Sequence, residues 1–295
     1  MKEESKFLTE GVRSMFLSTF AFFIANVCVK QIVHIPAMEI VFFRCVLAST
    51  FCFVGLKHAR VDWRGTNHKL LLLRGLFGTT ALFLFFITLQ NIPLASAMTI
   101  QYLSPIFTTI IAVFFLGESV PRLQWLFYGL AFSGVLLIER VDPRVSPYYL
   151  VIGIISALCS GMAYNLVRSM KGREHPLTVV LHFQLVGVVA GFISLFFSFR
   201  MPTGWDWFYI VLIGIFSQLG QMFLTNALQK ERVAGVAIIN YTGLIYALLA
   251  GSIIFSEPQS AESLAGMLLV VFGVLLSVVY SNRKREIEKI EATAG

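Results

Sequence analysis

The residues best equipped for chemistry in this chain are polar side chains set inside long apolar runs. Gln101, Tyr102 and Ser104 form one group, and Asn240, Tyr241 and Tyr246 another. A Gln-Tyr or Asn-Tyr pair can bind a small solute, the ring face meeting its apolar part and the polar tips orienting it. The same side chains can instead only tie helices together, at about 0.6 kcal/mol per contact in a membrane. Asn26, Asn165, Thr79, Gln218 and Gln221 extend the set. Gln218, Gln221 and Thr225 recur at helical spacing, which puts them on one expected face. Arg44 sits eight residues inside an apolar run and is the costliest side chain present. It can grip a substrate carboxylate or phosphate as a fork, or it can cap helix-end carbonyls or pair with a remote carboxylate. Glu39, five residues earlier, is turned about 140° away on a helix, so an intrahelical pair is not expected. Arg74 lies near a run's end and reads as a surface anchor.

Titratable groups that could couple transport to protons are few. Asp62, Asp142 and Asp206 all fall between the runs, which leaves Glu39 and His182. Glu118 and Glu257 each end a run just before the next one, where a carboxylate can cap backbone N–H groups. Pro105 removes a backbone donor mid-run and is expected to kink or hinge it. Cys28, Cys45, Cys52 and Cys159 lack metal-ligand spacing. No Walker sequence, HExxH or Gly-rich dinucleotide turn is found, so no cofactor and no metal are expected, and the chain does not read as an enzyme.

The elements that must position these groups are membrane helices. Of 295 residues, 57% are hydrophobic and 13% charged, against about 25% charged in soluble domains. Runs of roughly 20 apolar residues predict ten spans. They lie near Ser14–Val33, Ala37–Leu56, Leu70–Gln90, Leu94–Leu116, Leu123–Ile138, Tyr148–Met170, Thr178–Phe199, Trp207–Gln229, Ala234–Phe255 and Ser263–Tyr280. The predicted class is an all-α polytopic membrane protein. Placing the N-terminus inside puts 17 basic residues on inner segments and 4 on outer ones. That asymmetry predicts cytoplasmic termini in a plasma (inner) membrane, and explains the net charge of +7 without nucleic acid. The first span is too long for a signal peptide and has no small-residue cleavage site, so it is expected to remain. The expected partners are the lipid bilayer and a small-molecule substrate. Gly187 and Gly191 form a GxxxG that suits packing within the chain, with a homodimer seam as the other use.

The chain also repeats itself. Residues 73–138 align without gaps on 212–277, with 15 identities in 66 positions. Tyr102 pairs with Tyr241, Glu118 with Glu257, and Gly134 through Leu137 with Gly273 through Leu276; the same offset pairs Asn26 with Asn165. The predicted parts are a first repeat at 1–139, a linker at 140–147, a second repeat at 148–280 and a basic tail at 281–295. Five spans per repeat is odd, so the second repeat enters the membrane inverted, an arrangement typical of secondary transporters with a midplane site.

The segments Glu39 through Arg44 and Leu89 through Glu118, with Ser104-Pro105, Gly117-Glu118 and Gly134, resemble the EamA-type branch of the drug/metabolite transporters. The second half repeats the pattern at Ala234, Glu257 and Gly273 but has Leu244 where Pro105 would pair and Ser256 where Gly117 would. Its bend is therefore expected to be made differently, with Gly243 as a hinge. The resemblance implies ten helices around a central cavity and transport of small organic metabolites, often outward. It also favours a structural role for Arg44, which recurs in the family across varied substrates. The expected function is alternating-access export of an amino acid or related metabolite. The stretches Phe42-Phe43-Arg44 and Leu73-Arg74-Gly75-Leu76 also look like uptake exchangers for nucleoside-containing solutes such as S-adenosylmethionine. A channel and an intramembrane enzyme are the rivals from other classes.

Overall fold

The computed structural model describes residues 10–116, 121–230 and 239–294. The described residues are helical, in the order α1 (Glu10–Gln31), α2 (Ala37–His58), α3 (His68–Asn91), α4 (Leu94–Gln101), α5 (Ser104–Leu116), α6 (Arg122–Val141), α7 (Pro147–Ser169), α8 (Pro176–Leu195), α9 (Asp206–Lys230), α10 (Thr242–Ile253) and α11 (Ala261–Ala294). Counting α4 and α5 as one span gives the ten expected. Eight of these are long and apolar enough to cross a membrane, α10 is shorter, and α6 is a 20-residue helix.

Proline marks where helices begin. Pro36, Pro93 and Pro121 precede α2, α4 and α6, while Pro147 and Pro176 open α7 and α8. Their fixed φ suits a first turn, and the N–H they lack has no intrahelical partner there. Asn67 caps α3 by accepting the Leu70 N–H at 3.1 Å. The last helix does not end with its span: α11 continues to Ala294, so the expected basic tail is a helical extension.

Helix packing follows the repeat. α1 lies against α9 as α3 lies against α7, and α2 pairs with α8, α4 with α10, and α6 with α11. Exchanging the two halves maps the first pair onto the second, and α2 with α8 and α6 with α11 each onto itself. Glycines make the relation local. A Cβ on Gly134 would meet Gly266 O at 2.5 Å and Val270 N at 2.8 Å; one on Gly273 would meet Phe127 O and Ala131 N, each at 2.7 Å. Residues 127 and 266, 131 and 270, and 134 and 273 are all repeat mates, so the same contact is made twice. Gly75 against Val186 and Gly214 against Leu47 repeat the relation between α3, α8, α9 and α2. The chain is thus two inverted five-helix repeats locked along shared seams.

The fourth span is not one helix. It breaks at Tyr102 and Leu103, where Leu103 N–H bonds back three residues to Ile100 O at 3.1 Å. The second half breaks at the matching Tyr241, with Leu244 N–H to Tyr241 O at 3.0 Å. Pro105 has no counterpart there, so the break does not depend on proline.

Candidate functional site

The two breaks bring repeat mates into contact. Tyr102 and Tyr241 meet edge to face, ring centroids 4.9 Å apart at 73°. Gly243 permits this: a Cβ there would fall 2.6 Å from the Tyr102 hydroxyl. It thus makes room for the close approach of a ring. Beside the tyrosine pair lies a cavity of about 160 Å³, more than ten times what one water needs.

Both halves line it. Asn26, Arg44, Gln101, Tyr102, Ser104, Pro105, Gln221 and Asn240 face the space, as do Phe22, Phe85, Phe86, Met98 and Leu224. The wall is therefore amphipathic. Gln101 is fixed by donating to Ser160 Oγ at 2.7 Å and accepting from Ser156 Oγ at 3.0 Å. Asn240 accepts from Thr19 Oγ1 at 3.4 Å, and Asn26 Nδ2 lies 3.9 Å from Met98 Sδ.

Other residues singled out in the sequence lie outside the cavity lining. Asn165 donates to Thr108 O at 2.9 Å and Gly161 O at 3.2 Å, clamping α7 to α5. Gln218 accepts from Gln184 and donates to Cys52 Sγ at 2.8 Å, so it ties α9 to α8 and α2 while Gln221, three residues on, faces the cavity. Tyr246 packs on Phe20 and Phe23, and Thr79 is buried without a partner for its hydroxyl among the described residues. Gly187 and Gly191 meet Cys45 and Phe42 of α2, a seam within the chain. Glu39 accepts the Arg200 N–H at 2.9 Å, and His182 Nδ1 lies 2.9 Å from Thr178 O. Neither lines the cavity.

The expected surface anchor Arg74 is not at the surface. It is 3% exposed, lines the cavity, stacks its guanidinium 4.5 Å from the centre of the Phe183 ring, and donates weakly to Gln221 Oε1 at 3.4 Å. A long side chain reaches well beyond its own turn of helix, so position in the run did not give its depth. Arg44 stacks on the same ring at 5.6 Å. Its Nε, Nη1 and Nη2 have no hydrogen-bond partner among the described residues, nor has Arg74 Nε. No carboxylate lines the cavity among them. The structural role expected of Arg44, capping carbonyls or pairing with an acid, is therefore not observed. Phe183 is the repeat mate of Arg44, so one half supplies the cation and the other its aromatic platform.

Both ends of the bundle carry carboxylate clasps. Glu257 binds Lys30 Nζ at 2.8 Å and accepts the Leu94 N–H at 2.9 Å. It caps α4 of the other half, where α11 was expected, because α4 packs on α10. Glu118 lies outside the described residues. At the opposite end Glu174 accepts from Thr66 N and Oγ1 and from Asn67 N, at 2.6 to 2.7 Å. Burial pushes this carboxyl up, but those three donors outweigh it and hold it below the usual carboxylate range. The cavity extends from the tyrosine pair toward this second end, with Met15 and Leu228 in its lining. At the Glu257 end, Ile32, Ile35, Ile92 and Leu94 are all 2% exposed or less and close the bundle.

The model of the EamA-like transporter family matches residues 9–140 and 147–279. The chain belongs to this family. Among its relatives, a pseudopaline exporter of Pseudomonas aeruginosa is 30% identical, covering 90% of this chain and 94% of that protein. Human solute carrier family 35 member G1 is 28% identical, over 88% of this chain and 76% of its own. A solved crystal structure shares the fold at TM-score 0.67 and 14% identity, covering 94% of this chain and 98% of that one. This EamA-family chain is thus a multi-pass membrane transporter, and the segments that carry the family likeness supply Arg44, Met98, Gln101, Tyr102, Ser104, Pro105 and Thr108 to its central cavity.

Proposed function

We propose that the chain is a secondary transporter that exports a small organic metabolite by alternating access. The carrying observation is a central cavity walled by both inverted halves and placed beside a matched pair of helix breaks. Exchanging the conformations of the halves exchanges which end is open. The structure is closed at the Glu257 end by the Lys30–Glu257–Leu94 clasp, and in the outward-facing state this clasp opens while the Glu174 end tightens. Outward transport is supported by the likeness to a pseudopaline exporter, and the inner membrane with cytoplasmic termini by the distribution of basic residues. The substrate is held by Gln101, Asn26 and Asn240 against Phe85, Phe86 and Met98.

Counterflow in proteoliposomes tests this. A transported solute trapped inside should accelerate entry of its labelled form, and the acceleration should saturate. Flux that rises linearly with concentration and ignores trapped solute would mean a channel and overturn the reading.

A further inference from the structure

The polar lining of the cavity includes neutral amides and two cations. Gln101, Asn26 and Asn240 are among the amides. Arg44 and Arg74 share the Phe183 ring, at 1% and 3% exposure, with four guanidinium nitrogens unpartnered and no carboxylate in the lining among the described residues. Buried charge without a partner is strongly disfavoured, and a structural arginine ordinarily spends its five donors on carbonyls or acids. Both arginines border a space large enough for a solute, with their unpartnered nitrogens buried beside it. Both guanidinium groups lie over the Phe183 ring, and an arginine held by an aromatic face can still grip planar or tetrahedral oxyanions through its N–H fork. Gly78 completes the arrangement: a Cβ there would lie 1.9 Å from Arg74 Nη1, so the guanidinium fits only because residue 78 has no side chain.

We propose that the substrate is an organic anion whose carboxylate, phosphate or sulfonate group is clamped by Arg44 and Arg74 over Phe183, with Gly78 positioning Arg74. This deepens the transporter reading and rests on it for the word substrate. The same two charges exclude polyamines and make a sulfonium compound such as S-adenosylmethionine a poor fit. The amides Gln101, Asn26 and Asn240 then orient the neutral, hydrogen-bonding part of the same molecule.

Melting of purified protein in detergent tests the clamp, using citrate, inorganic phosphate and spermidine as probes. Citrate or phosphate should raise the melting temperature in a saturable way, and spermidine should not. Citrate acting at lower concentration than phosphate would assign an organic anion; phosphate acting alone would overturn the organic part of the proposal. Arg44→Met and Arg74→Met should each leave the ligand-free melting temperature unchanged or higher, since an unpaired buried charge is removed, and should weaken the anion response at least tenfold. Gly78→Ala should weaken the response by displacing Arg74, in a chain with both arginines intact. A structural arginine pair predicts the opposite: ligand-free melting falls by several degrees and the anion response survives, which would sink the proposal. Counterflow with labelled citrate separates the two readings. Saturable anion binding without any counterflow overturns the transporter and leaves the clamp; counterflow of a neutral or cationic solute that anions do not inhibit overturns the clamp and leaves the transporter.

Discussion

The two halves share a backbone plan and differ in chemistry. Gly134 and Gly273 make the same contact twice, and Tyr102 meets its own mate Tyr241. Yet Arg44 faces its mate Phe183, Arg74 corresponds to Ile213, and Pro105 to Leu244. Symmetric backbone seams and helix breaks are what the proposed alternating access needs, two interchangeable arrangements. The solute is not symmetric, so the side chains that meet it need not be. Both guanidinium groups belong to the first half, and the second supplies a ring and amides.

Overpacking should break the symmetric part most severely. Gly134→Leu and Gly273→Leu each drive a side chain into backbone 2.5 to 2.8 Å away, so each should cost about 3 kcal/mol or prevent folding. Equal losses in melting temperature would uphold the shared seam between α6 and α11, whereas one tolerated variant would not. The clasps come next. Glu257→Gln removes the ion pair with Lys30 and weakens the cap on α4, for about 1–3 kcal/mol. It should also raise thiol labelling of a cysteine placed at Ile35, because the Glu257 end opens more often.

Glu174→Gln should cost a similar amount at neutral pH, and its effect should depend on pH. The folded pKa of Glu174 is lowered, so its contribution is complete above the ordinary carboxylate pKa and is lost as pH falls through the lowered value. Melting curves of the native chain and the variant should converge in acid; a gap that stays constant would remove this carboxylate from the clasp.

The amides sharpen the comparison at smaller scale. Gln101→Ala breaks two good hydrogen bonds and should cost about 1–2 kcal/mol, while Asn240→Ala, whose contact is 3.4 Å long, should leave melting within about 0.5 kcal/mol. Both should weaken the half-saturating solute concentration in counterflow. The smallest effect belongs to Tyr102→Phe and Tyr241→Phe. Neither hydroxyl has a partner among the described residues and the ring pair is kept, so stability should hold in both.

Most of the fold was legible in the chain, and half of the site. Gln101, Asn26 and Asn240 face the cavity as their types and depth suggested. Asn165 carries the same signal as Asn26 but is outside the cavity lining and clamps α7 to α5. Gln218 and Gln221 share a stripe, but α8 and α2 cover one and the cavity meets the other. Arg74 was missed because its run position placed its Cα near an end, whereas the side chain runs inward past Gly78. The glycine four residues after Arg74 and the Phe183 opposite Arg44 at the repeat offset were the available signals.

The sequence alone determined that this chain is helical, spans a membrane and is built twice, because hydropathy and a fixed repeat offset are one-dimensional properties. Only the tertiary structure decided which polar faces meet. A helix presents several faces, and the neighbour that covers each one is set by packing between halves far apart in the chain. The same packing left Arg44, an expected structural residue, with three guanidinium nitrogens unpartnered among the described residues, and put Arg74 beside it.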